Sequence, residues 1–252
     1  MYEARKQKIV DLLEQDGQIT VDALMKMFSV SHMTVRRDLA ELERDGYLIR
    51  KHGGAVKSDT VNNLFSFSRR LEKNALHKEN ICRQAAEYIN DGDTIFIDCG
   101  STLYRICQYI SRKKIRVITT SLPVVSELIA QINISVSLLG GEIMHERQAV
   151  YGPVTVRQIM EYSADKAFIG CDGLSVKSGL SAYDIYEAEV TRTILSRARE
   201  VFLLCDSSKV GKDSSYIFSP LSAVHHVITD SNISHEAAAE LRAAGLSVIT
   251  AK

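Results

Sequence analysis

Residues 29–55 read SVSHMTVRRDLAELERDGYLIRKHGGA, and the interpretation of this stretch decides the first part of the fold. Ser31 is suited to cap a helix in which Val35, Leu39 and Leu42 recur on one face, with Gly46 just past its end. That apolar phase turns His32, Arg36 and Arg37 toward the opposite side and leaves Met33 and Thr34 on the exposed first turn. The segment YLIRKHGGAV that follows reads as two short strands around Gly53-Gly54, a basic hairpin carrying Arg50, Lys51 and His52. Upstream, Ile9, Val10, Leu12 and Leu13 form a helical stripe that stops at Gly17. Thr20 can cap a second helix with Val21, Leu24 and Phe28 at helical spacing.

Three short helices and a basic hairpin suit a winged helix-turn-helix. The first turns of its third helix enter the major groove of double-stranded DNA, and the hairpin follows the backbone or the minor groove. Arginine supplies the paired donors that match guanine O6 and N7 or two phosphate oxygens. The candidate DNA-contacting set is Ser31, His32, Met33, Thr34, Arg36, Arg37, Arg50, Lys51 and His52. The bland reading, two arginines on a solvated helix beside Asp38 and Glu41, explains neither the neighbouring helices nor the wing. Formal net charge over the 252 residues is zero, so any polyanion contact must come from such a local patch. Residues 46–57 carry Arg50, Lys51 and Lys57 without an acid, whereas 38–45 hold Asp38, Glu41, Glu43 and Asp45.

Residues 58–75 are polar and weakly periodic and read as a linker between a DNA-binding domain over 1–57 and a second domain over 76–252. In that second domain strand-like runs at 94–98, 115–119, 134–139, 166–170, 201–205, 224–229 and 247–250 alternate with helical stretches at 102–112, 121–131, 153–162, 184–199 and 234–244. Alternation of this length implies an α/β domain with a mostly parallel sheet covered by helices on both faces. Ligands of such sheets gather at the carboxyl ends of the strands. Small hydroxylated and acidic residues stand at those ends here: Asp98, Gly100, Ser101 and Thr102 in IFIDCGST, Thr119 and Ser121 in VITTSL, and Asp206, Ser208 and Lys209 in LLCDSSK. Gly140 and Gly141 in LLGGE, and Asp172 and Gly173 in IGCDG, add two further junctions. Backbone N–H groups and hydroxyls there suit a phosphate, Lys209 adds a charge, and Asp98 and Asp206 can accept sugar hydroxyls. The expected ligand is a phosphorylated small molecule.

Five cysteines without a C-x-x-C pair give neither a disulfide framework nor a zinc site, and His225-His226 alternate faces of a strand. No metal and no cofactor is expected. No run approaches the roughly 18 to 20 apolar residues of a membrane span, nor is there a signal-peptide core, so a cytoplasmic protein without a membrane partner is expected.

The first module, from RKQKIVDLLEQDGQITV to the T-V-R-R-D-L-x-x-L core and the R-x-H-G-G-A wing, resembles the winged helix-turn-helix of the DeoR-type (deoxyribose operon repressor) family of bacterial transcription regulators. The resemblance implies operator binding, with Arg36 and Arg37 on the family's recognition-helix arginines. Over about residues 76–250, GDTIFIDCGST, LLGGE, KAFIGCDGL and CDSSKVG are similar to the family's sensor domain, which in turn looks like ribose-5-phosphate isomerase. It implies that Asp98, Gly100, Ser101, Thr102, Asp172, Glu187 and Lys209 surround a sugar-phosphate effector. The sequence departs in TTSL, where relatives have Thr-Asn-Ser, and in Cys82, where alanine is usual. The expected function is a repressor of a carbohydrate operon, assembled as a dimer or tetramer to match two-fold operators. Two competing readings are a sugar-phosphate isomerase with Glu187 or Glu189 as general base and a helix-turn-helix used as a protein-interaction scaffold. Against the first, the isomerases' glycine-rich Lys loop is reduced to KSGL at 177–180.

Overall fold

A computed structural model describes residues 2–44, 47–57, 67 and 70–251. The chain divides into two compact units, Met1–Ser66 and Phe67–Lys252.

In the first unit α1 (Tyr2–Asp16) ends at Gly17, whose φ of +72° lets the chain turn into β1 (Gln18–Thr20). Thr20 caps α2 (Val21–Phe28) by accepting from Ala23 N at 3.2 Å. Ser29, in the left-handed region, makes the turn to α3 (His32–Arg44), and Ser31 Oγ accepts from Thr34 N at 3.3 Å as its cap. The Gly46 expected beyond α3 lies outside the described residues. Strands β2 (Leu48–Lys51) and β3 (Gly54–Lys57) form the hairpin, and β1 pairs with β3 to complete a three-stranded antiparallel sheet. A Cβ on Gly54 would lie 2.2 Å from Ile19 O, so only glycine allows β1 to pack there. Val35, Leu39 and Leu42 join Ile9, Leu13, Leu24 and Leu48 in one core. Asp38, also buried, accepts from Arg5 Nε at 2.5 Å and Nη2 at 3.1 Å, which ties α3 to α1.

The second unit is built on seven parallel strands: β4 (Thr94–Ile97), β5 (Ile115–Thr119), β6 (Ile134–Leu138), β9 (Ala164–Ile169), β12 (Ala198–Leu204), β14 (His226–Asp230) and β15 (Ser247–Ala251), in the order β15-β14-β12-β9-β4-β5-β6. One apolar cluster lies under α4 (Ala75–Ala86), α5 (Cys107–Ile110) and α6 (Leu122–Leu128). The other lies under α7 (Pro153–Met160), α8 (Ile185–Leu195) and α9 (His235–Ala243). Every sheet strand expected from the sequence is present. Unforeseen are α4, a hairpin of β7 (Glu142–Met144) and β8 (Ala149–Tyr151), and a small antiparallel sheet of β10 (Gly173–Ser175), β11 (Gly179–Ala182) and β13 (Tyr216–Ser219). The helix expected over 102–112 is split into a 3-10 turn, Leu103–Ile106, and the single turn α5, because the chain enters it through i+3 bonds such as Arg105 N to Thr102 O at 3.1 Å. Most of the expected linker, 58–66, 68 and 69, lies outside the described residues. Residues 70–74 make their contacts with the second unit, as when Asn74 Nδ2 donates to Asp206 at 3.2 Å.

The strand order has one reversal. From β4 the chain moves outward through β5 and β6, then returns to the other side of β4 to lay down β9 and continues through β12, β14 and β15. The crevice beyond the carboxyl ends of β4 and β9 is therefore the topological switch point, where open α/β sheets hold their ligands.

Candidate functional site

In the first unit His32, Met33, Arg36, Arg37, Arg50, Lys51 and His52 are all exposed, as is the capping Ser31; Thr34 is half-buried. They do not form a single set. Arg36 lines a cleft of about 360 Å³ with His32 and the wing residues Arg50, Lys51, His52, Gly53 and Gly54. Arg37 lines a separate hollow with Met33, Thr34, Arg5, Asp38 and Glu41. Arg37 Nε donates to Glu41 Oε1 at 3.2 Å, and Glu41 is held in turn by Lys6 Nζ at 3.0 Å. Arg50 is tied down, its backbone N and Nε reaching the two carboxylate oxygens of Glu43 at 2.9 and 2.6 Å. The side chains of Arg36, Lys51 and His52 have no hydrogen-bond or ionic partner among the described residues.

In the second unit the switch point gathers the charges. Asp98, the first residue after β4, is buried and accepts from Cys99 N at 2.7 Å and from Thr191 Oγ1 of α8 at 3.0 Å. Burial pushes its pKa up to about 6, with those hydrogen bonds pulling the other way. Across the crevice, beyond β9, Asp172 accepts from Tyr183 N at 3.1 Å and from Arg147 Nη2 at 2.6 Å. The same Nη2 lies 2.6 Å from Glu187 Oε2, although no hydrogen bond is aligned to that oxygen. Burial pushes Glu187 up to about 8 against the pull of Arg147, with Asp172 and Asp98 adding to the rise. Burial raises Asp172 too, but there Arg147 wins and holds it below the ordinary carboxylate range. Lys209 Nζ stands 3.8 Å from the other oxygen of Asp172.

Facing the Gly100–Thr102 turn is Lys78, on the first turn of α4. Its ammonium is buried, donates to Ser101 Oγ at 3.0 Å and to Arg70 O, and is pushed down to about 8 by burial. Arg70 is partly buried, and burial together with the nearby Arg147 lowers its pKa. Gly100 needs its φ of +143° to bring this turn round. Asp206 accepts from Asn74 and from Ser208 N, the latter at 3.2 Å.

Asp172, Glu187 and Lys209 are thus linked directly or through Arg147, and Asp206 with Ser208, while Asp98 is held by Thr191, Ser101 by Lys78, and Gly100 and Thr102 flank Ser101. The remaining candidates are engaged otherwise. Thr119 Oγ1 accepts from Ser121 N at 3.0 Å, and Ser121 caps α6; both are fully buried. Gly140 O accepts from Thr155 Oγ1 of α7 at 2.8 Å, and a Cβ on Gly141 would sit 2.2 Å from that hydroxyl. A Cβ on Gly173 would meet Lys212 O and Ser181 Oγ, both at 2.6 Å, so the glycine serves strand packing. Sequence reasoning passed over Arg70, Lys78, Arg147 and Thr191. The one signal for Lys78 was its phase, since it shares a helix face with buried Ile81, Cys82 and Ala85.

A helix-turn-helix joined in one chain to a parallel α/β sensor with a charged switch-point crevice defines a ligand-responsive transcription regulator. Residues 5–61 match the DeoR-like helix-turn-helix domain and residues 73–231 the DeoR C terminal sensor domain. The chain belongs to the DeoR family, a family of transcription regulators and not of enzymes. It is 33% identical to the transcriptional repressor GlcR of Bacillus subtilis, over 91% of this chain and 89% of that one. It is 32% identical to the glycerol-3-phosphate regulon repressor of Escherichia coli, over 90% of each. With the lactose phosphotransferase system repressor of Staphylococcus epidermidis it shares 35% identity, over 90% and 92%. Ribose 5-phosphate isomerase A of Methanocaldococcus jannaschii aligns with 54% of the chain and 54% of its own length at 21% identity and a TM-score of 0.39. Because the family is one of transcription regulators, the isomerase reading of the glutamates falls away, and Glu189 is in any case exposed. Among the described residues no helix is long and apolar enough to cross a membrane, and no group of histidine, cysteine and carboxylate side chains could hold a metal ion.

Proposed function

We propose that this chain represses a carbohydrate operon from the cytoplasm and that a phosphorylated sugar controls its affinity for operator DNA. The proposed effector site is the switch-point crevice, and the observation that carries it is the buried Lys78 ammonium facing the Gly100–Ser101–Thr102 turn. A buried cation without a carboxylate hydrogen-bonded to it is costly, and an incoming phosphate dianion supplies the missing charge. Asp98, Asp172, Glu187 and Asp206 then surround the sugar as hydroxyl acceptors, with Lys209 as a second cation. The names of two relatives, a glycerol-3-phosphate regulon repressor and a lactose phosphotransferase system repressor, concern carbohydrate use and support the same class of ligand.

Residues 1–57 act as the DNA-binding domain, 58–75 as the connection and 76–252 as the sensor. The chain works as a dimer or tetramer, because two half-sites of an operator call for two modules at fixed spacing. The effector shifts DNA affinity by binding one arrangement of the modules better than another.

A thermal-shift series with hexose and pentose phosphates, the matching free sugars and inorganic phosphate tests the ligand class. At a hundred times its dissociation constant the effector adds about 2.7 kcal/mol to stability, which is roughly 5–10 °C for a chain of this size. Free sugars leave the melting temperature unchanged. A panel in which no sugar phosphate raises it defeats the proposal. Lys209→Ala is expected to abolish release from DNA by the active sugar phosphate while operator binding in a gel-shift titration stays intact.

A further inference from the structure

We infer that the two adjacent arginines of α3 have different tasks: Arg37, with Met33 beside it, reads a guanine next to a thymine methyl in the major groove, and Arg36 clamps a phosphate together with Lys51 and His52. This rests on DNA binding by the helix-turn-helix and assigns its specificity to named side chains.

Helix phase supplies the first argument. Val35, Asp38, Leu39 and Leu42 are buried. At about 100° per residue the line diametrically opposite them runs through Met33, Arg37, Ala40 and Arg44. That line meets the floor of the groove when the core-facing side packs on α1 and α2. His32 and Arg36, one residue earlier in each turn, lie along the edge of the helix. The clefts agree with the phase: Arg36 opens toward the wing, and Arg37 shares its hollow with Met33.

Chemistry supplies the second. Glu41 engages Arg37 through Nε and is itself fixed by Lys6, so the guanidinium is aimed while both terminal nitrogens stay unengaged among the described residues. Two parallel N–H donors presented end-on are what guanine O6 and N7 accept. Met33, one turn earlier on the same line, is 76% exposed, an unusual setting for a large apolar side chain. The only apolar group on the floor of the major groove is the thymine C5 methyl, and a methionine thioether packs against it without a polar penalty. Arg36 has no carboxylate to aim it. It faces a concave cleft with Lys51 and His52 at the tip of the wing, where exposed Gly53 keeps the backbone bare. Unaimed cations converging on a cleft suit a phosphate, which accepts from any direction and carries no sequence information.

The test uses the full-length chain and a duplex operator selected from a random library, with Arg36→Ala, Arg37→Ala and Met33→Ala compared by titration over a range of salt. All three side chains are exposed, and unchanged circular dichroism confirms that each variant folds. Arg37→Ala is expected to lose about ten- to a hundredfold discrimination at one G·C pair. Arg36→Ala should weaken all sequences alike and lower the slope of log affinity against log salt by about 1. Replacing each thymine in turn by deoxyuridine removes only the methyl; at one position next to that guanine the wild type should lose about fourfold, and Met33→Ala nothing. The assignment is overturned if Arg36→Ala is the variant that loses base discrimination, if neither arginine variant does, or if uracil affects wild type and Met33→Ala equally. A wild type that selects no duplex would instead refute DNA binding itself.

Discussion

The two candidate sites handle charge in opposite ways. On α3 and the wing Arg36, Lys51 and His52 stand in water with no side-chain partner among the described residues, Arg37 and Arg50 hold exposed pairs, and the part-buried pair of Arg5 with Asp38 serves the fold. At the switch point the cations and carboxylates lie inside the protein, each leaning on another: Arg147 on Asp172 and Glu187, Lys78 on Ser101, Asp98 on Thr191. A DNA surface needs charges whose water can be shed on contact with phosphates, so they contribute to binding without being costly to the free protein. A small-ligand pocket instead keeps its polar groups oriented in advance, and part of the fold's stability becomes tied to their protonation and pairing. Mutations on the first surface should therefore change affinity alone, and those in the second should change stability as well.

The sharpest break of that contrast is Arg147→Ala. It strands two buried carboxylates, and unpaired buried charges of this kind cost about 3–5 kcal/mol. Thermal melts of the sensor transition should fall by roughly 10 °C. The loss should depend on pH with a definite sign. Glu187 already has its folded pKa raised from the ordinary 4.5 to about 8. A carboxyl raised in this way favours the folded state below about pH 4.5, and that contribution disappears as pH climbs toward 8. The Glu187 share of the Arg147→Ala deficit should thus be absent near pH 5, where only ionised Asp172 is stranded, and the total should be greatest above pH 8; a deficit that does not grow between pH 5 and pH 9 would mean that Glu187 carries no charge in that range.

An intermediate effect is expected from Asp38→Ala. Arg5 is closer to solvent than Glu187 and can rehydrate, so the loss is that of one charged hydrogen-bonding pair, about 2 kcal/mol. Faster hydrogen exchange in α1 would report it. Least of all should come from Arg37→Ala, where an exposed i,i+4 pair with Glu41 is worth about 0.3–0.5 kcal/mol. A change above 1 kcal/mol in denaturant unfolding would show that Arg37 supports the fold and would blur the contrast.

The helix-turn-helix was legible because its signals are local. Thr20 and Ser31 each cap a helix within three residues, and Val35, Leu39 and Leu42 mark a face within three turns. The seven sheet strands were legible as apolar runs. The inner wall of the candidate site was not. Arg147 sits between strands of three residues each, too short to show a period, and meets Asp172 and Glu187 only through the tertiary fold. Lys78 looks like any helix lysine until the sheet is assembled, and Arg70 fell in a stretch whose polarity resembled a linker. Strand-end hydroxyls such as Thr119 and Ser121 showed the converse problem, because a helix cap and a ligand donor have the same sequence signature.

The reversal between β4 and β9 also sets an order of events during synthesis. These neighbours in the sheet are separated by all of β5 to β8, and Asp98 finds Thr191 only 93 residues later. Contacts of such long range form late, after the loop between them has been closed against its entropy. A nascent chain thus completes its DNA-binding unit long before Glu187 and Lys209 have left the ribosome. For that interval the chain carries a finished helix-turn-helix while the sheet of its second unit is still incomplete.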